Sequence, residues 1–448
     1  MIKKVILLAI CIACQYSHAQ EAPTRLSLQE AIDFALENNR TVVNAARDID
    51  AAKAQKWETT ASGLPQISAT ADYQNFLKQQ VQVIPAEFFG GAPGEFAEVI
   101  FGTKQSASAF ATLNQKIFDG SYIVALQSAK VFLQISKNAK TKTDLQVRQS
   151  VIDAYGNVLL AEESIAILNR NITVLEKNLY ETNKIFENGL EEEESVEQLK
   201  ITLSGVESSL NNTERLKKIA YQMLNINLGL DVYNPLLLTD TLELLTEQNR
   251  SLSLLETDEN PENTVDYLIA ENDTEAKALM LKLEKSKALP SLDVFINGGY
   301  TGFNNDFNFF NKEQQWFGSS LFGLNLSVPL FSSGMRNSAT QRAQINLEKA
   351  KTDLEETEQR IKLQIASAKS DYQFALEDYE NKKENLALAQ RIEEKNQTKF
   401  FEGIGSSFEL RQAQTQLYGA QQELLQAMLD VINSKTALET ALNSVILN

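Results

Sequence analysis

Residues 335–402 read MRNSATQRAQINLEKAKTDLEETEQRIKLQIASAKSDYQFALEDYENKKENLALAQRIEEKNQTKFFE and contain neither proline nor glycine. Alanine, leucine, glutamate, lysine and glutamine, which favour helices, dominate this stretch. Its large apolar residues recur at steps of seven, four and three: Leu347, Leu354, Ile361, Ile365, Tyr372, Leu376, Tyr379 and Leu386. This spacing predicts a coiled-coil seam on one very long helix. At about 1.5 Å per residue, the helix would be roughly 100 Å long.

The chain carries this pattern twice. Three glycines recur after a constant interval of 214 residues, so that Gly120, Gly189 and Gly205 correspond to Gly334, Gly403 and Gly419. Upstream, Leu64-Pro65 and Leu289-Pro290 lie 225 residues apart, which leaves 11 additional residues in the first repeat. We assign them to a predicted loop at 85–102, which is rich in glycine and proline. No proline lies between Pro93 and Pro235, so the first repeat also permits very long helices.

Each repeat also contains two segments with alternating apolar and polar residues. The segments are 67–74 and 106–113 in the first repeat, and 291–298 and 322–330 in the second. A period of two predicts β-strands. Each repeat therefore reads as helix, strand, loop, strand, very long helix, glycine turn and second helix. Two interpretations of these strands remain open. They are either half-buried strands of a soluble sheet or strands that span a membrane.

The first nineteen residues predict a secretory signal peptide. A basic start is followed by an apolar run at 5–13, and Ser17-His18-Ala19 fits cleavage after Ala19. Lipidation at Cys14 is the alternative. Both cysteines and the single histidine lie in this segment, so the mature chain is expected to lack thiolate nucleophiles, Ser-His-Asp triads and His or Cys metal ligands. Removal of Lys3 and Lys4 leaves 40 basic residues against 59 acidic ones, a net charge of −19 that attracts cations.

Aromatic residues crowd the ends of the predicted strands and suggest a membrane-interface belt: Tyr73, Phe76, Phe118, Tyr300, Phe303, Trp316, Phe317 and Phe331. Each predicted strand, with its flanking residues, has about 10–13 residues, which suits a tilted transmembrane strand of roughly 9–11. An open sheet edge is not tolerated in lipid, and four strands are too few to close around a lumen. Membrane strands would therefore require oligomerisation, and a trimer would supply twelve.

At this point the chain resembles the TolC-type outer membrane efflux proteins. The resemblance rests on Leu26–Asn39 (LSLQEAIDFALENN), the Leu-Pro pairs, the glycine turns and the duplication. It implies a mainly α-helical homotrimer with a small membrane β part, in which a long periplasmic α-helical barrel continues into a 12-stranded outer-membrane β-barrel. It also implies an exit duct without enzymatic activity or cofactor. The implied partners are outer-membrane lipid, a periplasmic adaptor and an inner-membrane transporter.

With this resemblance, the chain divides into eight segments. They are a signal peptide at 1–19, a first periplasmic helix at 20–63, a β-hairpin at 64–119, a helical hairpin at 120–228, an equatorial or linker region at 229–263, a second-repeat helix at 264–288, a β-hairpin at 289–333 and a helical hairpin at 334–448.

The resemblance assigns adaptor docking to the two glycine turns, at Gly189-Leu190 and Gly403-Ile404. A plain helix C-cap is the alternative reading of these glycines. The family places pore-constricting acids six and nine residues after the second glycine. Glu409 matches the first of these positions, whereas Gln412 departs from the second.

An acidic run, Glu191, Glu192, Glu193 and Glu194, follows the first turn. It is interpreted either as the first turn of a helix, where acids complement the helix dipole, or as an acidic periplasmic mouth or a contact for a basic adaptor tip. Two other functions remain open at this point. One is a secreted coiled-coil scaffold or adhesin without a channel, and the other is a carboxylate-dependent hydrolase, for which there is no motif.

Overall fold

A computed structural model describes residues 24–257 and 260–443. The predicted signal peptide, including the choice between cleavage after Ala19 and lipidation at Cys14, lies outside the described residues.

The described residues confirm the duplicated order of elements. The first repeat contains α2 (Arg40–Ala61), β2 (Gln66–Asn75), β5 (Gln105–Asp119), α3 (Gly120–Glu187) and α4 (Glu193–Leu228). The second contains α6 (Val265–Ser286), β7 (Ser291–Asn304), β8 (Trp316–Ser327), α7 (Met335–Phe401) and α8 (Ser407–Ala441). The long helices have 68 and 67 residues, and the helices after the turns have 36 and 35.

The remaining elements precede or interrupt the repeats. They are β1 (Thr24–Leu26), α1 (Leu28–Asn38), β3 (Val81–Pro85), β4 (Phe96–Ile100), β6 (Leu236–Leu238) and α5 (Leu242–Gln248), with 3-10 turns at Ala86–Phe89, Leu252–Glu256 and Pro261–Asn263. By its contacts the chain forms two compact units, whose boundaries fall within α2, α3, α6 and α7, near residues 49, 135, 271 and 352.

The first unit comprises residues up to 49, 136–271 and 353 onwards. Its main apolar core joins α1, α3, α4 and α5 with the parallel pair β1–β6. Tyr155 of α3 is buried at the centre, where its hydroxyl lies 3.0 Å from the Leu26 carbonyl oxygen and 3.2 Å from Asp240 Oδ2. Asp240 Oδ2 also accepts a hydrogen bond from the Leu28 N–H. One tyrosine therefore connects the long helix to the start of the described chain and to the segment after α4.

The predicted seam of α7 is confirmed. Leu347, Ile361, Ile365, Tyr372 and Tyr379 are buried, and the other three seam residues are half-buried. In the first unit the seam packs against α8. The core thus follows the spacing of the large apolar residues.

The second unit, residues 50–135 and 272–352, contains an antiparallel sheet in the order β2-β5-β7-β8. Residues that face each other across the strands share one side of the sheet. The register therefore gives an apolar face: Ile67, Ala69, Ala71, Tyr73, Ala107, Ala109, Ala111, Leu113, Leu292, Val294, Ile296, Tyr300, Trp316, Phe322, Leu324 and Leu326. The other face is mostly Ser, Thr, Asn, Gln and Asp. Among the described residues β2 and β8 are the edges, and each has one unpaired side.

Two local predictions were wrong. The segment 85–102 is not simply a loop, because Phe96–Ile100 pairs with Val81–Pro85 in an antiparallel hairpin. Gly90, Gly91, Pro93 and Gly94 lie in the connection between the strands. The last strand is Trp316–Ser327 rather than 322–330, since Val328, Pro329 and Leu330 lie beyond its end.

We expect Tyr155→Phe to lower the thermal unfolding midpoint, because it removes the buried hydroxyl between Leu26 and Asp240. The loss of such a hydrogen bond costs about 1–2 kcal/mol. Tyr233→Phe is the matched control, since Tyr233 is exposed. Equal midpoints for the two variants would contradict this role of Tyr155.

Candidate functional site

Both long helices end in the same kind of turn. At the first, the Leu190 N–H bonds to the Ile185 carbonyl and the Gly189 N–H to that of Phe186. At the second, the Ile404 N–H bonds to the Lys399 carbonyl and the Gly403 N–H to that of Phe400. The φ angles of Gly189 and Gly403 are +76° and +74°, in the left-handed region that favours glycine. The C-cap interpretation is therefore correct for both turns.

Each turn presents a large apolar side chain to solvent. Leu190 is 79% exposed and Ile404 is 72% exposed. The C-cap needs only the backbone N–H groups of these residues and not their side chains. The structure therefore leaves both side chains available for a contact outside the described chain.

The acidic run lies at the start of α4. Glu193 and Glu194 lie in the first helical turn, while Glu192 is the N-cap residue and makes no side-chain cap. Glu191 accepts a hydrogen bond of 2.6 Å from the Ser195 hydroxyl, and Glu194 accepts one of 2.6 Å from the Gln198 amide. The first-turn interpretation fits Glu193 and Glu194. All four residues retain exposed or half-exposed carboxylates near the turn.

Glu409 has a local role that the sequence analysis missed. Ser406 is the N-cap of α8, and its hydroxyl accepts from the Glu409 N–H at 3.2 Å. The Glu409 carboxylate accepts in return from the Ser406 N–H at 3.2 Å, which completes a capping box. The pattern Ser-x-x-Glu would have predicted this cap. Both Glu409 and Gln412 are exposed.

The two helical hairpins of the first unit meet close to the turns through apolar side chains. Val196 and Leu199 of α4, Phe400 of α7 and Leu410 of α8 are all buried. Ser195, Leu199, Phe400 and Leu410 line a remaining space of only about 10 Å³. This contact is nearly void-free and holds the two turn regions against each other.

Farther from the turns, polar side chains enter the contact between the hairpins. Asn171 of α3 donates to Gln421 Oε1 of α8 at 2.8 Å, and Gln397 of α7 donates to Asn178 Oδ1 at 3.0 Å. Asn178 and Thr182 are fully buried. The Asn178 amide nitrogen and the Thr182 hydroxyl have no hydrogen-bond partner among the described residues. We call this region, residues 171–182 with 393–397 and 414–421, the polar seam.

The polar seam contains a buried acid, Glu393 of α7. Burial raises its pKa, and the nearby Gln414 amide offsets part of that effect. Burial, followed by the charge of Glu393, also raises the pKa of Tyr418. Packing therefore shifts the Glu393 equilibrium toward the protonated form, because an ionised carboxylate loses its hydration there.

The sheet register places residues of the predicted aromatic belt on different faces of the sheet. Tyr73, Tyr300 and Trp316 lie on the apolar face, and a bulge after Lys116 places Phe118 there too, opposite Leu292. Phe303 and Phe317 stand on the polar face, opposite Ser106 and Thr301 respectively. Phe76 and Phe331 lie outside the strands.

The sequence analysis also missed an aromatic cluster on the apolar face. Tyr73, Ala107, Gly302 and Trp316 form one cross-strand row, and the two small residues leave room between the two large ones. Phe309 is buried there, with its ring centre 5.9 Å from Tyr73 and 6.2 Å from Trp316. Loop sequences have no periodicity, so only the strand pairing reveals this contact.

None of the helices in the described ranges combines the length and the hydropathy needed to cross a bilayer. Within the same ranges, no group of three or more carboxylate, imidazole or thiol side chains is placed to hold a metal ion.

Residues 31–230 and 270–444 match the outer membrane efflux protein family. The outer membrane protein TolC of Vibrio cholerae is 24% identical over 430 residues, which cover 94% of this chain and 91% of the relative. The toluene efflux pump outer membrane protein TtgC of Pseudomonas putida is 21% identical, with 93% and 82% covered.

Solved structures share the fold. The outer membrane protein VceC of Vibrio cholerae superposes with a TM-score of 0.71 at 17% identity, covering 93% of this chain and 95% of its own. CusC, whose structures concern transmembrane channel formation, gives a TM-score of 0.75 at 18% identity, with 95% of both chains covered.

These features define an outer-membrane channel that is mainly α-helical, has a small β part and extends into the periplasm. The chain belongs to the outer membrane efflux protein family. It is an exit duct of the outer membrane and not an enzyme. The scaffold and hydrolase alternatives are not favoured, because the matched relatives are efflux channels.

We expect Glu393→Gln to change how stability depends on pH. Because folding raises the pKa of this carboxyl, its contribution is fully present below the ordinary pKa of glutamate. The contribution is lost as the pH rises through the raised value. As the pH rises through this range, the wild-type protein should lose thermal stability, and the Glu393→Gln variant should lose less. Glu384→Gln is the matched control, since Glu384 is exposed on the same helix. Parallel pH profiles for wild type and Glu393→Gln would refute the assignment.

Proposed function

We propose that three copies of this chain form the outer-membrane duct of a tripartite efflux or type I secretion system. The duct passively conducts cargo that an inner-membrane transporter delivers through a periplasmic adaptor. The observation that carries this proposal is the sheet, which has one apolar face, one polar face and two unpaired edges. Pairing β8 of one copy with β2 of the next leaves no unpaired edge in lipid. The apolar face then contacts lipid, and the polar face lines the conduit.

The aromatic cluster supports this orientation. Tyr73, Phe309 and Trp316 pack together on the apolar face. The ring of the neighbouring Phe307 packs against Phe310, which is exposed. Amphipathic and bulky rings of this kind prefer the headgroup region of a bilayer. We assign Tyr73, Trp316 and this cluster to the outer interfacial belt, and Phe118 to the inner one.

Glu409 is proposed to be the charge at the pore constriction. It is exposed near the second turn, and threefold symmetry would bring three such carboxylates together. A ring of acids favours cations over anions. Gln412 is proposed to line the same constriction without charge, and the acidic run at 191–194 to supply additional charge at the mouth.

We expect Glu409→Gln to reduce the preference for cations in single-channel recordings while trimers remain intact. Glutamine can replace glutamate in a capping box, so the helix start should persist. Glu30→Gln is a matched control, because Glu30 forms the same capping box with Ser27 at the start of α1. Unchanged ion selectivity in Glu409→Gln trimers would reject Glu409 as the constriction.

Leu190 and Ile404 are proposed to dock the adaptor. Their side chains are exposed at the turns, and Gly189 and Gly403 set the backbone that presents them. Burial of a leucine or isoleucine side chain contributes about 1.5–3 kcal/mol. Two such residues per copy would supply a substantial share of a docking contact.

We expect Leu190→Asp with Ile404→Asp to abolish in-cell crosslinking to an adaptor while trimer yield is unchanged. Leu252→Asp is the control, since Leu252 is also exposed but lies away from the turns in sequence. Mass spectrometry should identify an adaptor and an inner-membrane transporter with the wild type and the control. If wild-type trimers crosslink only to themselves, the tripartite assembly is excluded.

A further inference from the structure

The polar face of the sheet carries exposed aromatic rings near its loop end, the end opposite the connections to α3 and α7. The ring centres of Phe303 and Phe317 are 6.2 Å apart, and the two side chains are 49% and 51% exposed. Phe110 lies on the same face, directly opposite Gly299. A Cβ at residue 299 would come within 2.6 Å of the Phe110 ring, so the glycine provides the room for that ring.

An acidic side chain stands on the same face at the same end. Asp72 belongs to the cross-strand row that continues through Ser108 and Thr301 to Phe317. Its side chain is exposed, and it forms no ion pair with the described residues. The other acids on this face, Asp293 opposite Lys116 and Asp119 opposite Ser291, lie near the helix end. Among the described residues within the strands of this face, Asp72 is therefore the only charged residue beside the rings.

Core packing does not account for these rings. Phe303 and Phe317 contact each other across adjacent strands, and half of each side chain remains in solvent. The apolar face already provides the surface on which an exposed ring would contact lipid. Rings on the polar face are instead accessible to whatever passes the sheet, and the π face of an aromatic ring attracts organic cations.

We propose that Phe110, Phe303, Phe317 and Asp72 form an exit-side binding collar for lipophilic organic cations. The inference rests on the proposed function, because the polar face must line the conduit. Closing the sheet places β8, which carries Phe317, beside β2 of the next copy, which carries Asp72. The rings of one copy and the Asp72 carboxylate of the next copy then meet at each of the three junctions between copies. The carboxylate supplies charge complementarity, while the rings discriminate lipophilic cations from small hydrated ones.

The test is an anisotropy titration of rhodamine 6G, a fluorescent lipophilic cation, against full-length trimers in lipid nanodiscs. The titration measures binding directly and does not depend on whether the proposed constriction at Glu409 is open. We expect saturable binding that Phe303→Leu with Phe317→Leu weakens about tenfold, as expected when two cation–π contacts are lost. Asp72→Asn should weaken it about threefold, and fluorescein, an anionic dye, should not bind.

Phe322→Leu is the matched control, because Phe322 is an exposed ring on the opposite, apolar face. The Phe322→Leu variant should bind the dye with the same affinity as the wild type. The collar is disproved if intact wild-type trimers do not bind the dye, or if the double leucine variant binds it equally well. A chain that inserts into nanodiscs only as a monomer would instead overturn the proposed function, and the collar with it.

Discussion

The unpaired edges of β2 and β8 are the constraint on which the architecture depends. A strand edge in lipid leaves backbone N–H and C=O groups without partners, and each unsatisfied group costs several kcal/mol. The four-stranded sheet cannot satisfy both edges by itself. Assembly of three copies satisfies all of them, and it explains why one face is apolar while the other carries serine, threonine, asparagine and aspartate. Closure of the sheet between copies is then a requirement of backbone hydrogen bonding in lipid.

The sequence predicted the long helices well because their signals are local. The absence of proline and glycine, the helix-forming composition and the seam from Leu347 to Leu386 all refer to neighbouring turns of one helix. Pairing between distant strands is not a local property. The glycines and Pro93 within 85–102 correctly indicated a turn but concealed the strands on either side. The different orientations of Tyr73 and Phe303, and the insertion of Phe309 above Gly302, depend on the register of three strand pairs.

Some residues near the turns have both a local structural role and a proposed functional role. Gly189 and Gly403 were recognised from the sequence because a left-handed cap strongly favours glycine. Glu409 was recognised only by resemblance, although it also caps its own helix through Ser406. Glu393 gave no sequence signal, because an isolated acid in a helix usually faces solvent. The apolar core of the first unit and the polar seam differ in composition. Separating hairpins that meet through polar groups exposes less apolar surface to water than separating hairpins that meet through leucine and valine, so its hydrophobic free-energy cost is lower.

Inter-copy disulfide formation between β2 and β8 tests the central claim most directly. Residues 24–443 contain no cysteine, so Ala71→Cys can be combined with cysteine at Gly318, Ser320 or Phe322 in turn. Within one copy, β5 and β7 separate the two strands by about 14 Å, too far for a disulfide. Oxidation in the membrane should give a covalent trimer on a non-reducing denaturing gel for at least one pair. Exclusively monomeric or dimeric products for every pair would contradict the closed three-copy sheet.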